Sequence, residues 1–233
     1  MFQDWRRLAF VHWRYPPERV QPLLPAGLTV ETFDGVAWVG LVPFLMDRVR
    51  PPRGPALEWL SRFPETNVRT YARDERGRSG IWFLSLDAAR LPAVLAARAG
   101  YWLPYFWSDM SVTASGSRWV YRCRRRWPSP GARCDAEVEI GAPLADSEQD
   151  ELAHFLTARH RLFTVIAGRL AAAEAEHPPW PLHHARLHRL DQDLLPAAGL
   201  PAPHHHDALL HASPGVQVRI GMWHFAGRAN PDT

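Results

Sequence analysis

Short glycine-containing turns recur along this chain, and they restrict it to a largely antiparallel β architecture. Asp34-Gly35, Asp74-Glu75-Arg76-Gly77, Ser115-Gly116, Ser129-Pro130-Gly131 and Ala167-Gly168 each lie between stretches rich in apolar, β-branched and aromatic residues. Turns this short join strands that are neighbours in space. They predict a hairpin of 28–33 with 36–46, a second of 65–73 with 79–88, and a meander through 105–114, 118–127 and 133–140. Residues 160–176 carry conflicting signals: their alanines favour helix, but the central Ala167-Gly168 favours a hairpin, which is the reading adopted. Strands over 8–13, 182–190 and 216–223 complete the set.

Helices interrupt this pattern sparingly. One short helix begins at Pro17, and an alanine-rich one spans 90–99 with Gly100 closing it. Ser147 and Asp150 resemble a capping box ahead of the apolar stripe Leu152, Phe155 and Leu156, and a short helix over 191–198 ends at Gly199. The proline-broken segment 48–64 reads as a loop with one helical turn around Glu58 to Leu60. The expected class is α+β: an antiparallel sheet curled toward a barrel, with the helices outside it or over one end. Parallel doubly wound folds are disfavoured, and no phosphate loop, nucleophile elbow or zinc-finger spacing is present.

A chain of 233 residues, 46% hydrophobic, can bury one large core. Residues 1–225 are read as a single domain and 226–233 as a flexible tail. The N-terminus has no long apolar run, so neither a signal peptide nor a membrane anchor is expected, and the expected compartment is the cytoplasm. Cys123 and Cys134 flank a turn and could approach one another across a hairpin; reduced thiols are the preferred reading and a disulfide is the alternative. The net charge of +3 is spread along the chain, which implies weak attraction to anions. All 27 basic residues are arginines, so no ε-amine exists to form a Schiff base with a carbonyl substrate.

Glu65, Asn67, Arg69 and Tyr71 alternate with Thr66, Val68, Thr70 and Ala72, so one strand face carries a carboxylate, an amide, a guanidinium and a phenol. Turned inward, that face is a binding surface; turned outward, it is an ordinary solvated face. Ser85 and Asp87 extend the pattern on the partner strand, Asp87 serving either as lining or as a turn cap. Arg14 and Arg98 suit an anionic ligand, because a guanidinium grips a carboxylate at two points, or else form structural ion pairs. His177 precedes Pro178-Pro179-Trp180, a rigid aromatic element able to wall a pocket, and is either an acid–base group or a hydrogen-bonded loop residue.

Other clusters point elsewhere. His183-His184, His188, His204-His205-His206 and His211 lack metal-site spacing, so no metal is expected, nor any cofactor. Arg122, Arg124, Arg125 and Arg126 with Trp119 and Trp127 read as an exposed, charged sheet edge and not as a nucleic-acid surface. No nucleic acid or membrane partner is expected, and the oligomeric state is left open, a homo-oligomer included.

The ordered segments Arg14-Tyr15-Pro16, Leu23-Leu24-Pro25-Ala26-Gly27-Leu28, Phe33-Asp34-Gly35-Val36-Ala37-Trp38-Val39, Glu65-Thr66-Asn67-Val68-Arg69-Thr70-Tyr71, Ile81-Trp82-Phe83-Leu84-Ser85-Leu86-Asp87 and His177-Pro178-Pro179-Trp180-Pro181-Leu182 resemble the bacterial YqjF-like family over nearly the whole chain. That uncharacterised family is more distantly similar to the acetoacetate decarboxylase-like superfamily, whose enzymes hold substrate with an arginine, a glutamate and a Schiff-base lysine. The resemblance implies a conical antiparallel β-barrel with a few peripheral helices. It sets Arg14 and Glu65 where the arginine and glutamate stand. Tyr105, after Gly100, Tyr101 and Pro104, takes the lysine's place, which excludes decarboxylation through an imine.

The sequence therefore predicts a small-molecule pocket inside the barrel, floored by Glu65, Asn67 and Arg69. Arg14, Tyr105 and Trp180 stand around its mouth, with Tyr71, Ser85, Arg98 and His177 as further contacts. An apolar molecule carrying a carboxylate or ketone is the expected ligand. Glu65 as acid or base with Tyr105 as proton donor would suit enolisation, lyase or hydration chemistry. The alternative is a noncatalytic ligand-binding or structural barrel.

Overall fold

The computed structural model describes residues 1–51, 53, 61–204 and 207–225. A 14-stranded sheet dominates it. Its strands are β1 (Phe2–Tyr15), β2 (Leu28–Val30), β3 (Thr32–Phe33), β4 (Val36–Arg50), β5 (Phe63–Asp74), β6 (Ser79–Ala88), β7 (Tyr105–Ser115), β8 (Arg118–Trp127), β9 (Arg133–Pro143), β10 (Arg161–Ile166), β11 (Arg169–Glu176), β12 (His183–Gln192), β13 (Leu209–Ile220) and β14 (His224–Phe225). The α-helices among the described residues are short: α1 (Pro17–Val20), α2 (Leu91–Tyr101), α3 (Glu151–Thr157) and α4 (Leu194–Ala197). None is long and apolar enough to cross a membrane.

The pairings β5–β6 and β11–β13 bend the sheet back on itself and close two circuits of hydrogen-bonded strands. The smaller circuit runs β10, β11, β13, β1, β4, β5 and β6. The larger runs β6, β7, β8, β9, β12, β13, β1, β4 and β5. Strands β13, β1, β4, β5 and β6 belong to both and form a wall between them. That explains why β1, β4 and β5 are almost continuously buried instead of alternating: both of their faces are covered.

The larger circuit is packed with apolar side chains. Ala9, Val11 and Trp13 from β1, Val39 and Leu41 from β4, Val68 from β5, Tyr121 from β8 and Val138 from β9 meet there, joined by Leu194 and Leu195 of α4. Each large side chain buried this way contributes about 1.5–3 kcal/mol. Cys123 and Cys134 face each other across β8 and β9 in this core as free, buried thiols. The opposite face of the wall carries Leu8, Phe10, Val42 and Phe44, against which Trp180 packs. Farther along, Tyr71, Ile81 and Phe83 pack with Leu156 of α3, Leu162 and Val218.

Several expectations need correction. The predicted strand over 28–33 divides at Glu31: β2 pairs with β5, and only β3 forms the hairpin with β4. Glu31 is buried and bonded to Arg73, Ser79 and Arg159, which draws β2 away from β4. Helix α2 continues through Gly100, and Trp102 adopts the left-handed closing conformation at φ 54°. Asp150 caps α3, its carboxylate accepting from the Ala153 N–H at 2.7 Å, while Ser147 lies in a preceding 3-10 turn. Strand β13 starts well before residue 216 because it pairs with β1 along its whole length.

The sheet is mixed, not purely antiparallel. Strand β6 runs parallel to β7, since the connection through α2 is long enough to return the chain in the same direction, and it also runs parallel to β10. Strand β8 is not an edge, because it lies between β7 and β9. The hairpin at Ala167-Gly168 is as expected, with φ of 49° and 78° at the two turn residues. The turn expected at Glu58 to Leu60, His205, His206 and the tail 226–233 lie outside the described residues.

Candidate functional site

Glu65, Asn67, Arg69 and Tyr71 share one face of β5, and their relative exposures are 3%, 2%, 3% and 0%. They are not a solvated face. Burying polar groups is costly unless they are satisfied, so what each one touches defines the site.

Glu65 occupies one end of the row. Tyr105 Oη donates to Glu65 Oε2 at 3.1 Å. The two meet because β6 separates their strands, with Ala88 opposite Glu65 and Leu86 opposite Tyr105. Arg98 does not reach this site; its guanidinium donates to the Tyr105 carbonyl at 2.6 Å and stacks over Trp127, anchoring the start of β7. Burial pushes Glu65 up to about 8, outweighing the opposing effect of the phenol hydrogen bond. Tyr105 is held well above its ordinary range by burial and by Glu65. At neutral pH Glu65 is thus a buried, protonated acid.

A cation marks the other end. His12, Gly40 and Arg69 are successive neighbours across β1, β4 and β5. A Cβ on Gly40 would lie 2.7 Å from His12 Nε2, so only glycine lets the imidazole lie across β4. His12 Nε2 reaches Tyr71 Oη at 2.7 Å, and Tyr71 Oη donates to the Leu156 carbonyl at 2.7 Å. Arg69 Nη2 donates to the same carbonyl at 3.2 Å, and its guanidinium lies 5.5 Å from the Phe10 ring. Among the described residues no carboxylate stands within ion-pair distance of Arg69. The neighbouring Arg159, by contrast, is paired with Glu31 at 2.7 Å.

Five buried polar atoms on this face have no hydrogen-bond partner among the described residues: Arg69 Nε, Asn67 Oδ1, His12 Nδ1, Trp38 Nε1 and His211 Nδ1. Burial, reinforced by Arg69 and His211, depresses His12 well below its ordinary pKa and keeps it neutral.

Trp180 and His177 stand beside the cation end. Trp180 is buried edge-on to Phe10 at 5.2 Å and donates to the Thr157 carbonyl at 3.0 Å. The half-buried His177 ring lies 5.1 Å from Trp180 and stacks on His160 at 4.4 Å. Its ring nitrogens lie 2.8 Å from the Pro178 carbonyl and 3.3 Å from that of Arg159, and burial lowers its pKa. His177 also lines a surface cleft of about 460 Å³ with Asp4, Arg48 and Arg219.

Other candidates lie elsewhere. Arg14 is exposed, its guanidinium 5.3 Å from the Trp38 ring, beyond His12 on β1. Ser85 is opposite Val68 and so projects to the other face of the wall, as does Asp87 opposite Thr66. A bulge at Leu84, where the pairing passes from Val68–Ser85 to Arg69–Phe83, switches the alternation. Asp87 accepts from Arg125 Nε at 2.9 Å, Arg125 Nη2 at 2.6 Å and Ser108 Oγ at 2.6 Å, a buried structural ion pair. Arg125, expected at an exposed edge, is 4% exposed. Sequence reasoning missed His12 and Gly40. The available signal was a lone glycine inside an apolar strand, which marks a close approach.

Comparison with known proteins adds a family and a fold. The family model DUF2071, described as an uncharacterized conserved protein, matches residues 2–217. Over 211 residues the chain is 35% identical to the uncharacterized protein YqjF of Bacillus subtilis (strain 168), covering 91% of this chain and 86% of that one. An acetoacetate decarboxylase from Legionella pneumophila is similar in structure, with a TM-score of 0.65, 12% identity and coverage of 97% of this chain and 87% of that one. An acetoacetate decarboxylase-like enzyme from Sphingomonas wittichii RW1 has a TM-score of 0.64, 13% identity and coverage of 97% and 92%. The enduracididine biosynthesis enzyme MppR complexed with pyruvate has a TM-score of 0.63, 12% identity and coverage of 97% and 90%. At such identities the likeness is one of fold.

Proposed function

Since the chain belongs to the DUF2071 family of uncharacterized conserved proteins, we propose its function from the site itself: the smaller strand circuit is a conical barrel that binds a small, partly apolar carboxylate or carbonyl compound against Arg69. One observation carries this reading. Arg69 is 3% exposed, and no counter-charge accompanies it among the described residues. An isolated buried cation is costly, and an anionic ligand would neutralise it through charge-assisted hydrogen bonds. Phe10, Trp180, Phe83 and Leu86 provide apolar surroundings for the rest of such a molecule. A structural neighbour that holds pyruvate supports a small carboxylate.

Protonated Glu65 and its phenol partner Tyr105 supply the chemistry in this reading. A neutral carboxyl group in an apolar setting can donate a proton or a hydrogen bond to a developing enolate or alkoxide, which suits enolisation, hydration or lyase steps. No covalent imine takes part, because the chain has no lysine. The test is a thermal-shift titration of the full chain and of Arg69→Met with pyruvate, acetoacetate, lactate and acetate. Ligand at a hundred times its Kd stabilises by about 2.7 kcal/mol. Wild type is expected to shift and Arg69→Met to stay put. No shift in wild type with any carboxylate overturns the proposal.

A further inference from the structure

Resting on that anion-binding reading, we infer that the molecule held at Arg69 carries a hydrogen-bond donor next to its carboxylate, so that a 2-hydroxy acid, and not a 2-oxo acid, is the class this interior takes. The unpartnered atoms on the site face are of two kinds. Arg69 Nε–H and Trp38 Nε1–H are donors, while Asn67 Oδ1 and His12 Nδ1 are acceptors, and His211 Nδ1 is one or the other according to its tautomer. A carboxylate answers the donors. Only an O–H or N–H answers the acceptors.

His12 fixes this assignment because its tautomer follows from its neighbours. Tyr71 has a single hydroxyl hydrogen. The Leu156 carbonyl, 2.7 Å away, can only accept, so that hydrogen must point to it. His12 Nε2, also 2.7 Å from Tyr71 Oη, therefore donates to the phenol oxygen. Nε2 carries the ring hydrogen, and Nδ1 is left with a bare lone pair. Neutrality of the ring accords with its depressed pKa. Turning the Asn67 amide would exchange its oxygen and nitrogen, but nothing comparable frees His12, whose ring is held across Gly40.

His12 and Asn67 flank Arg69: His12 is its neighbour across Gly40, and Asn67 precedes it by two residues, about 6.6 Å at 3.3 Å per residue. In this reading a ligand hydroxyl adjacent to the carboxylate is directed at one of these two acceptors. A 2-oxo acid would set its own lone pairs against them, and an acceptor left unpaired in a buried site costs about tenfold or more in affinity.

Calorimetric titration of the full chain with the matched pairs lactate and pyruvate, and 2-hydroxybutyrate and 2-oxobutyrate, tests the inference. Wild type is expected to bind each hydroxy acid at least about tenfold more tightly than its oxo partner. The variant His12→Gln places an amide N–H where Nε2 stands and deletes Nδ1; it should lose affinity for the hydroxy acids and bind each no more tightly than its oxo partner. A wild type that binds the oxo acids as tightly or more tightly overturns the inference and leaves the anion site standing. A wild type that binds no carboxylate overturns both. Should His12→Gln fail to fold, the wild-type comparison still decides.

Discussion

Tyr105 and Glu65 meet at 3.1 Å across an intervening strand, and the carboxyl group they bury is protonated at neutral pH because burial pushes it up to about 8. An unfolded glutamate titrates near 4.5, so between those values the folded chain holds a proton that the unfolded chain has lost. The stability this gives is fully present below about pH 4.5 and is lost as pH rises through about 8, a change on the order of 5 kcal/mol. Glu65→Gln removes the dependence. Thermal melts at pH 5, 7 and 9 should show wild type losing ground steadily to the variant. Parallel curves would mean that the carboxyl is ionised throughout.

Removing Arg69 should stabilise the ligand-free protein. Replacing an uncompensated buried charge with an apolar chain of similar length relieves a desolvation penalty, and Arg69→Met is expected to gain about 1–3 kcal/mol in urea denaturation. A loss of that size would indicate that the guanidinium is fully balanced in the native state.

The Asp87–Arg125 pair behaves in the opposite way. Both side chains are buried, at 0% and 4% exposed, and they satisfy one another at two points. Asp87→Asn alone should cost about 3–5 kcal/mol by stranding the arginine. Pairing Asp87→Leu with Arg125→Met should recover most of that loss, as measured by denaturant midpoints of the single and double variants.

Gly40→Ala sets a methyl group 2.7 Å from His12 Nε2 and must displace the imidazole from Tyr71. Overpacking of this kind costs about 1–3 kcal/mol. The same substitution at the exposed turn residue Gly35 meets no neighbour within 4 Å but is strained by its φ of 75°, so it separates backbone strain from collision. Calorimetry should find carboxylate binding weakened by Gly40→Ala and unchanged by Gly35→Ala.

The polar row of β5 was legible in the sequence because strand alternation is local: once residues 65–73 are a strand, Glu65, Asn67, Arg69 and Tyr71 must share a face. What was hidden depends on pairing. Ser85 seemed to follow the same alternation, but the bulge at Leu84 turns it to the other side of the wall, and the run of residues alone does not reveal a bulge. Arg125 looked like its exposed neighbours because only the strands on either side of β8, and Asp87 from β6, bury it. His12 gained meaning through Gly40 and Tyr71, 28 and 59 positions away. The turns set the hairpins, whereas the β5–β6 and β11–β13 contacts that close the circuits include a pairing between distant strands with no turn to announce it.

The wall common to both circuits ties two unlike compartments to one fate. The greasy compartment holds the back of β1, β4 and β5, and the polar row is mounted on the front of those strands. Loosening the oily side would tilt Arg69 and Glu65 together, so substitutions that never touch a ligand, such as those at Val39, Leu41 or Val68, become a means of tuning affinity. Outside the shared wall the smaller circuit owns only β10 and β11, and the larger only β7, β8, β9 and β12.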